Sequence, residues 1–138
     1  MMTRARKVVT KMLANDEFSK WLKINLIEIK PGYCKLSIYV NESMLNGFKI
    51  AHGGICFSIS DSALAFAANA YGIICYTIET NLIYHKKVLL EDLLTVEAKE
   101  LHRTEKKAHY EVTVYNIEGE MVSVMKGVVH VSKKEWQF

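Results

Sequence analysis

The hydrophobic pattern changes twice along this chain. Between about residues 3 and 21, Val8, Val9, Met12 and Leu13 recur at helical spacing, which predicts one or two short helices. Asn15 or Asp16 is placed to cap a second turn carrying Phe18, Trp21 and Leu22. "LKINLIEIK" and "YCKLSIYV" then alternate apolar and polar positions on either side of Pro31-Gly32, which predicts two strands joined as a hairpin. From Gly54 to Ala70 the pattern becomes almost continuously apolar or small. Its polar residues Ser58, Ser60, Asp61, Ser62 and Asn69 do not make the broad polar face of a surface helix. After it, "IICYTIETNLIYHK", "LLTVEAKEL", "KAHYEVTVYN" and "MVSVMKGVVHV" are rich in β-branched and aromatic residues, and turns such as Glu118-Gly119-Glu120 punctuate them.

Six strands and one long apolar helix define an α+β protein. At 17 residues with an acid near its middle, the helix is a poor membrane span, so it is expected to lie buried nearly all round, with the sheet curled about it. An antiparallel six-stranded sheet wrapped around a long central helix is the hotdog fold. With 138 residues the chain has room for one core, so residues 1–138 are read as one domain, with 1–21 as a helical lid or flank.

Composition and charge narrow the functions. The net charge is +3 and the basic residues are interspersed with acids, which gives no reason to expect nucleic acid. Cys34, Cys56 and Cys75 are odd in number, lack metal-ligand spacing and sit in apolar runs, as reduced thiols packed like small hydrophobes do. The expectation is a cytoplasmic protein with no metal, no membrane attachment and no cofactor, although the basic amphipathic N-terminus leaves organelle import open.

Asp61 is the residue a plain core helix does not explain, because burying an unpaired carboxylate costs several kcal/mol, roughly. Taken alone, it reads equally well as a structural acid bonded to Ser58 or Thr77. It stands, however, in a pattern: Asn46, then His52-Gly53-Gly54, then Asp61, leading through the helix into "TIETNLIYHK" and the later strands. Over about residues 22 to 132 this resembles the PaaI-type acyl-CoA thioesterases of the hotdog superfamily. The resemblance implies hydrolysis of an acyl-CoA thioester, with Asn46, Gly53 and Asp61 at the matching catalytic positions and Thr77 at a supporting one. It also implies sites at a dimer interface, with dimers paired into tetramers. The chain departs from the pattern at Thr104-Glu105, where Gly and a basic residue are usual, and at Lys87 and Glu91, where Pro and Gly are common.

The chemistry supports the same assignment independently. Thioester hydrolysis places negative charge on the carbonyl oxygen, so preorganised donors must converge there while a base activates water. Gly53 and Gly54 at a helix start let a ligand approach free N–H groups at the positive end of the helix dipole, and Asn46 adds a side-chain amide. Asp61 is the candidate base, with a nucleophilic role left open; His52 is counted with the catalytic group but is expected to shape the turn and orient its neighbours, since the resemblance gives the base's work to the aspartate. Gly53 and Asp61 are eight residues apart, about 12 Å along a helix axis. They cannot serve one carbonyl, so Gly53 of one chain is expected to meet Asp61 of another across a twofold axis, in an obligate homodimer. Arg103, Lys106 and Lys107 at one strand turn, with Lys86 and Lys87 after "NLIY", are the candidate cations for coenzyme A phosphates. Phe48, Phe57, Leu64 and Tyr84 are expected to line a pocket for an aryl or medium-chain acyl group. The other readings are a non-catalytic acyl-CoA-binding hotdog protein and, behind it, a hotdog hydratase or dehydratase.

Overall fold

A computed structural model describes all residues, 1–138. Helix α1 (Arg4–Asn15) starts at Thr3, whose side chain accepts from Arg6 N–H. Asp16 then caps α2 (Glu17–Leu22), so the two predicted turns are separate helices broken at the capping residue. Strands β1 (Asn25–Lys30) and β2 (Tyr33–Tyr39) form the expected hairpin, and Gly32 takes the left-handed φ of +78° at its turn. A 3₁₀ turn (Glu42–Met44) and a loop lead to the central helix α3 (Gly53–Asn69). Strands β3 (Ile73–Tyr84), β4 (Leu93–Arg103), β5 (Lys107–Tyr115) and β6 (Met121–Glu135) complete the chain. The six strands form one sheet in the order β1-β2-β4-β5-β6-β3, every neighbouring pair antiparallel. This is the hotdog arrangement.

The core lies between the sheet and α3, where Ile59, Leu64, Phe66 and Ala67 are buried with Leu36, Val96, Val112 and Met125. Strand β6 comes so near the helix that a Cβ at Gly127 would lie 2.7 Å from Leu64 Cδ2. The C-terminal end of α3 is fastened by Asn69. Its Nδ2 donates to Ala65 O (2.8 Å) and Cys75 O (3.0 Å), and its Oδ1 accepts from Cys75 N–H (2.9 Å) and Trp136 Nε1–H (2.8 Å). Every hydrogen-bonding position of this buried amide is thereby used, which fixes where β3 begins and where the tail after β6 lies.

One expectation needs correcting. The helix is not enclosed on all sides by its own chain: Phe57 is 40% exposed, and Asp61 and Ala65 on the same stripe are only half-buried. Helices α1 and α2 flank the next side of α3, with Ser19 Oγ 3.3 Å from Ser62 Oγ. Strand β3 is an edge, and it carries exposed Tyr76, Ile78, Ile83 and Tyr84. No helix is long and apolar enough to cross a membrane.

Candidate active site

The site is assembled at the start of α3. In the preceding loop, Asn46 N–H donates to Ile50 O (2.8 Å) and Leu45 bridges Ala51, which closes a compact turn. Asn46 Oδ1 accepts from Phe48 N–H (2.9 Å) and Ile50 N–H (3.4 Å), so its side-chain carbonyl is held inward. That leaves the Nδ2 amide protons free to donate outward.

His52 follows as the helix cap. Its own N–H donates to Met44 O (2.8 Å), its carbonyl accepts from Ile55 N–H (2.9 Å), and its ring Nδ1 accepts from Gly54 N–H (2.8 Å). The Nδ1 lone pair is therefore taken, in keeping with a residue that shapes the turn. The same bond corrects the expectation that both glycines offer free N–H groups: Gly54 supplies only space, and Gly53 N–H is the one left without an acceptor in the chain. It points from the positive end of a 17-residue helix. Gly53 O accepts from Tyr84 Oη (2.8 Å), and a Cβ at Gly53 would lie 3.0 Å from that hydroxyl.

Asn46, Gly53 and Tyr84 open onto one cavity of about 410 Å³, which His52, Cys56, Lys86 and Lys87 also line. Burial pushes the Cys56 thiol up, so the cavity floor is a neutral sulfhydryl. The Tyr84 ring is largely exposed, but partial desolvation of its hydroxyl raises it, keeping it a donor. Lys86 is exposed and pairs with Glu120, whose carboxylate holds its ammonium up, while Lys87 stands beside it.

Asp61 lies two turns further along α3 and does not line that cavity. Thr77 Oγ1 donates to Asp61 Oδ1 at 2.8 Å across from β3, which fixes the carboxylate on the open stripe of the helix. The structural partner weighed for Asp61 thus exists, and it occupies Oδ1 while no side chain or backbone donor engages Oδ2. Arg103 is not beside the cavity. Its side chain is 16% exposed, lies 3.7 Å from Glu100, stacks 3.8 Å over the Tyr71 ring and reaches Ala68 O at the far end of α3. Lys106 lies in the β4–β5 turn and Lys107 opens β5 at that same end. Leu64, expected in the acyl pocket, is fully buried against β6 and cannot line it, whereas Phe48, Phe57 and Tyr84 are exposed. Sequence reading gave Phe18 and Trp21 no part in the site, yet both line a cavity that His52 and Gly54 also border. The only signal for them was two large aromatics on a short capped turn.

A hotdog fold with a donor-lined helix start and a carboxylate two turns on defines a class. Residues 48–123 match the thioesterase superfamily, and the chain belongs to that family, as a thioester hydrolase. Among individual proteins, it is 34% identical over 119 residues to a protein of Archaeoglobus fulgidus named "Putative esterase", covering 86% of this chain and 77% of that one. It is 29% identical over 119 residues to the acyl-coenzyme A thioesterase PaaI of Escherichia coli, covering 86% and 85%. The solved E. coli PaaI protein from the phenylacetic acid degradation operon superposes with a TM-score of 0.93 at 26% identity, covering 96% of each chain.

Proposed function

We propose that this protein hydrolyses aryl- or medium-chain acyl-CoA thioesters to the free acid and coenzyme A, in sites shared between two protomers. The observation that carries this reading is the separation of the two halves of the machinery. Free donors on Asn46 Nδ2 and Gly53 N–H face one cavity, while the Asp61 carboxylate, anchored by Thr77, faces outward from the same helix. The spacing of about 12 Å is too long for one reaction centre. Two copies of α3 packed antiparallel along their open stripes bring the Asp61 of each to the Gly53 of the other.

In such a site the thioester carbonyl oxygen takes the Gly53 and Asn46 donors, which stabilise the charge of the tetrahedral intermediate. The partner's Asp61 accepts a proton on the carboxylate oxygen that Thr77 leaves free, as water adds to the carbonyl carbon. Collapse of the intermediate breaks the carbon–sulfur bond and releases the coenzyme A thiolate, which is then protonated. Lys86 and Lys87 border the cavity and suit the coenzyme's phosphates. The antiparallel arrangement also carries Lys106 and Lys107 of the second protomer toward the same mouth. Arg103 we assign to holding the end of α3. Buried free cysteines suit a reducing compartment, and we assign the protein to the cytoplasm as a dimer, with dimers paired into a tetramer.

The test is complementation between defective protomers. Asn46→Ala and Asp61→Asn homodimers should each be poor, the latter by at least the ~10²-fold typical of losing a general base. A purified heterodimer of the two places both defects in one site and restores the other, so it should show about half the wild-type activity. A heterodimer no more active than its parents contradicts the shared site. A wild-type protein that binds acyl-CoA but releases no thiol to a thiol reagent contradicts hydrolysis and leaves the binding-protein reading.

A further inference from the structure

Helix α2 is held by its inner side. Asp16 caps it, and Ser19 and Leu22 are buried. Phe18 and Trp21 are left on the outside, stacked with ring centroids 5.8 Å apart and planes 16° from parallel. They are 52% and 45% exposed, a large apolar area to hold rigidly at a surface. Behind them lies a cavity of about 280 Å³ whose other walls include Met44, His52, Gly54 and Ser58, and His52 is its only titratable residue.

This cavity is continuous in chain terms with the carbonyl site. At about 100° per residue, Gly53 and Cys56 lie to one side of the opening turn of α3, Gly54 and Ser58 to the other, and Phe57 and Asp61 between them. His52 borders both cavities. A thioester carbonyl at Gly53 therefore has a lysine-bordered side and an aromatic side. The coenzyme's arm carries amides and phosphates, which need polar partners and find them toward Lys86 and Lys87. The aromatic side is mainly apolar, its polar groups being the His52 ring, the Ser58 hydroxyl and the Ser43 hydroxyl, which already donates to Asn41 Oδ1. Ser58 presents only a small side chain to it, and Gly54 lets the His52 ring lie close to the helix start, since a Cβ there would lie 3.0 Å from His52 Nδ1.

We propose that Phe18 and Trp21, over a floor of Gly54 and Ser58, receive the apolar end of the acyl group, so that the N-terminal flank is a specificity element of the site. This rests on Gly53 and Asn46 holding the carbonyl. The probe is S-phenethyl-CoA, a thioether with an aryl end and no reactive carbonyl, titrated calorimetrically beside coenzyme A itself. Wild-type protein should bind the thioether about 10-fold or more tightly than coenzyme A, as burial of a ring implies. Trp21→Ala, Phe18→Ala and, by filling the cavity, Ser58→Leu should each bring the ratio of the two affinities to within about 3-fold of unity. A wild-type ratio near one overturns the assignment, as does a ratio that survives both Trp21→Ala and Ser58→Leu. A surviving ratio accompanied by a change in oligomeric mass in Trp21→Ala identifies the pair as a subunit contact instead. Because the thioether is not turned over, the ratio reads this pocket whether or not acyl-CoA hydrolysis is found, and failure of that hydrolysis counts against the proposed reaction alone.

Discussion

Replacing Gly53 by alanine adds one methyl group at the point where fold and chemistry meet. The added Cβ would lie 3.0 Å from Tyr84 Oη and 3.2 Å from Cζ, some tenths of an ångström inside ordinary contact. Tyr84 is exposed on an edge strand, so it can swing aside at the cost of its 2.8 Å bond to Gly53 O, worth about 1 kcal/mol. Alanine is favoured over glycine in a helix by up to about 1 kcal/mol, and Gly53 has no positive φ to forbid it. The two terms nearly cancel, and the melting temperature should stay within about 4 °C of wild type. Catalysis has no such compensation. The methyl group and the displaced phenol enter the space beside the free N–H, and loss of one oxyanion donor typically lowers turnover ~10²- to 10³-fold. Thermal unfolding and steady-state release of thiol from an acyl-CoA test both halves. In a Tyr84→Phe background the contact with the hydroxyl disappears, so the stability effects of the two substitutions should be non-additive. A Gly53→Ala enzyme with wild-type turnover refutes the placement of the carbonyl at this helix start.

Two further outcomes follow from the interior. Tyr110 and Tyr71 donate to Glu100 (3.2 and 2.9 Å), and burial raises both above their ordinary value of 10.0, while burial pushes the Cys34 thiol from 9.0 up to about 12. The folded state thus keeps protons that the unfolded chain releases, so stability should be flat near neutrality and fall from about pH 9 upward, by as much as ~1.4 kcal/mol per pH unit for each such group. Urea midpoints measured across that range check this: Tyr110→Phe should reduce the slope above pH 10, and a constant midpoint to pH 11 contradicts it. Asn69→Ala strands the buried N–H of Cys75 and the half-buried indole N–H of Trp136 and should cost about 3 kcal/mol in urea denaturation. Turnover below the transition should be kept, since the helix start is untouched, and Asn69→Asp should not restore stability because it lacks the amide donors.

What the sequence determined by itself is what short-range physics encodes. Alternation gave the strands, Asp16 and Gly32 marked a cap and a turn, and the apolar run from Gly54 gave the central helix. Asn46, His52 and Gly53 were legible as a unit because they lie within one short loop and helix start, where local hydrogen bonds decide which amides stay free. Tertiary structure decided the rest. Thr77 meets Asp61 only because β3 crosses beside α3, and Leu64 is withdrawn from any pocket by the nearness of β6 at Gly127. Arg103 looked like a surface cation until Glu100, Tyr71 and the end of α3 enclosed it. The open stripe along Phe57, Asp61 and Ala65 did not show in the apolar run itself, and only the distance between Gly53 and Asp61 along the helix called for a second chain there. A run of apolar residues reports how much surface a helix hides, and only packing shows whether its own chain or another covers it.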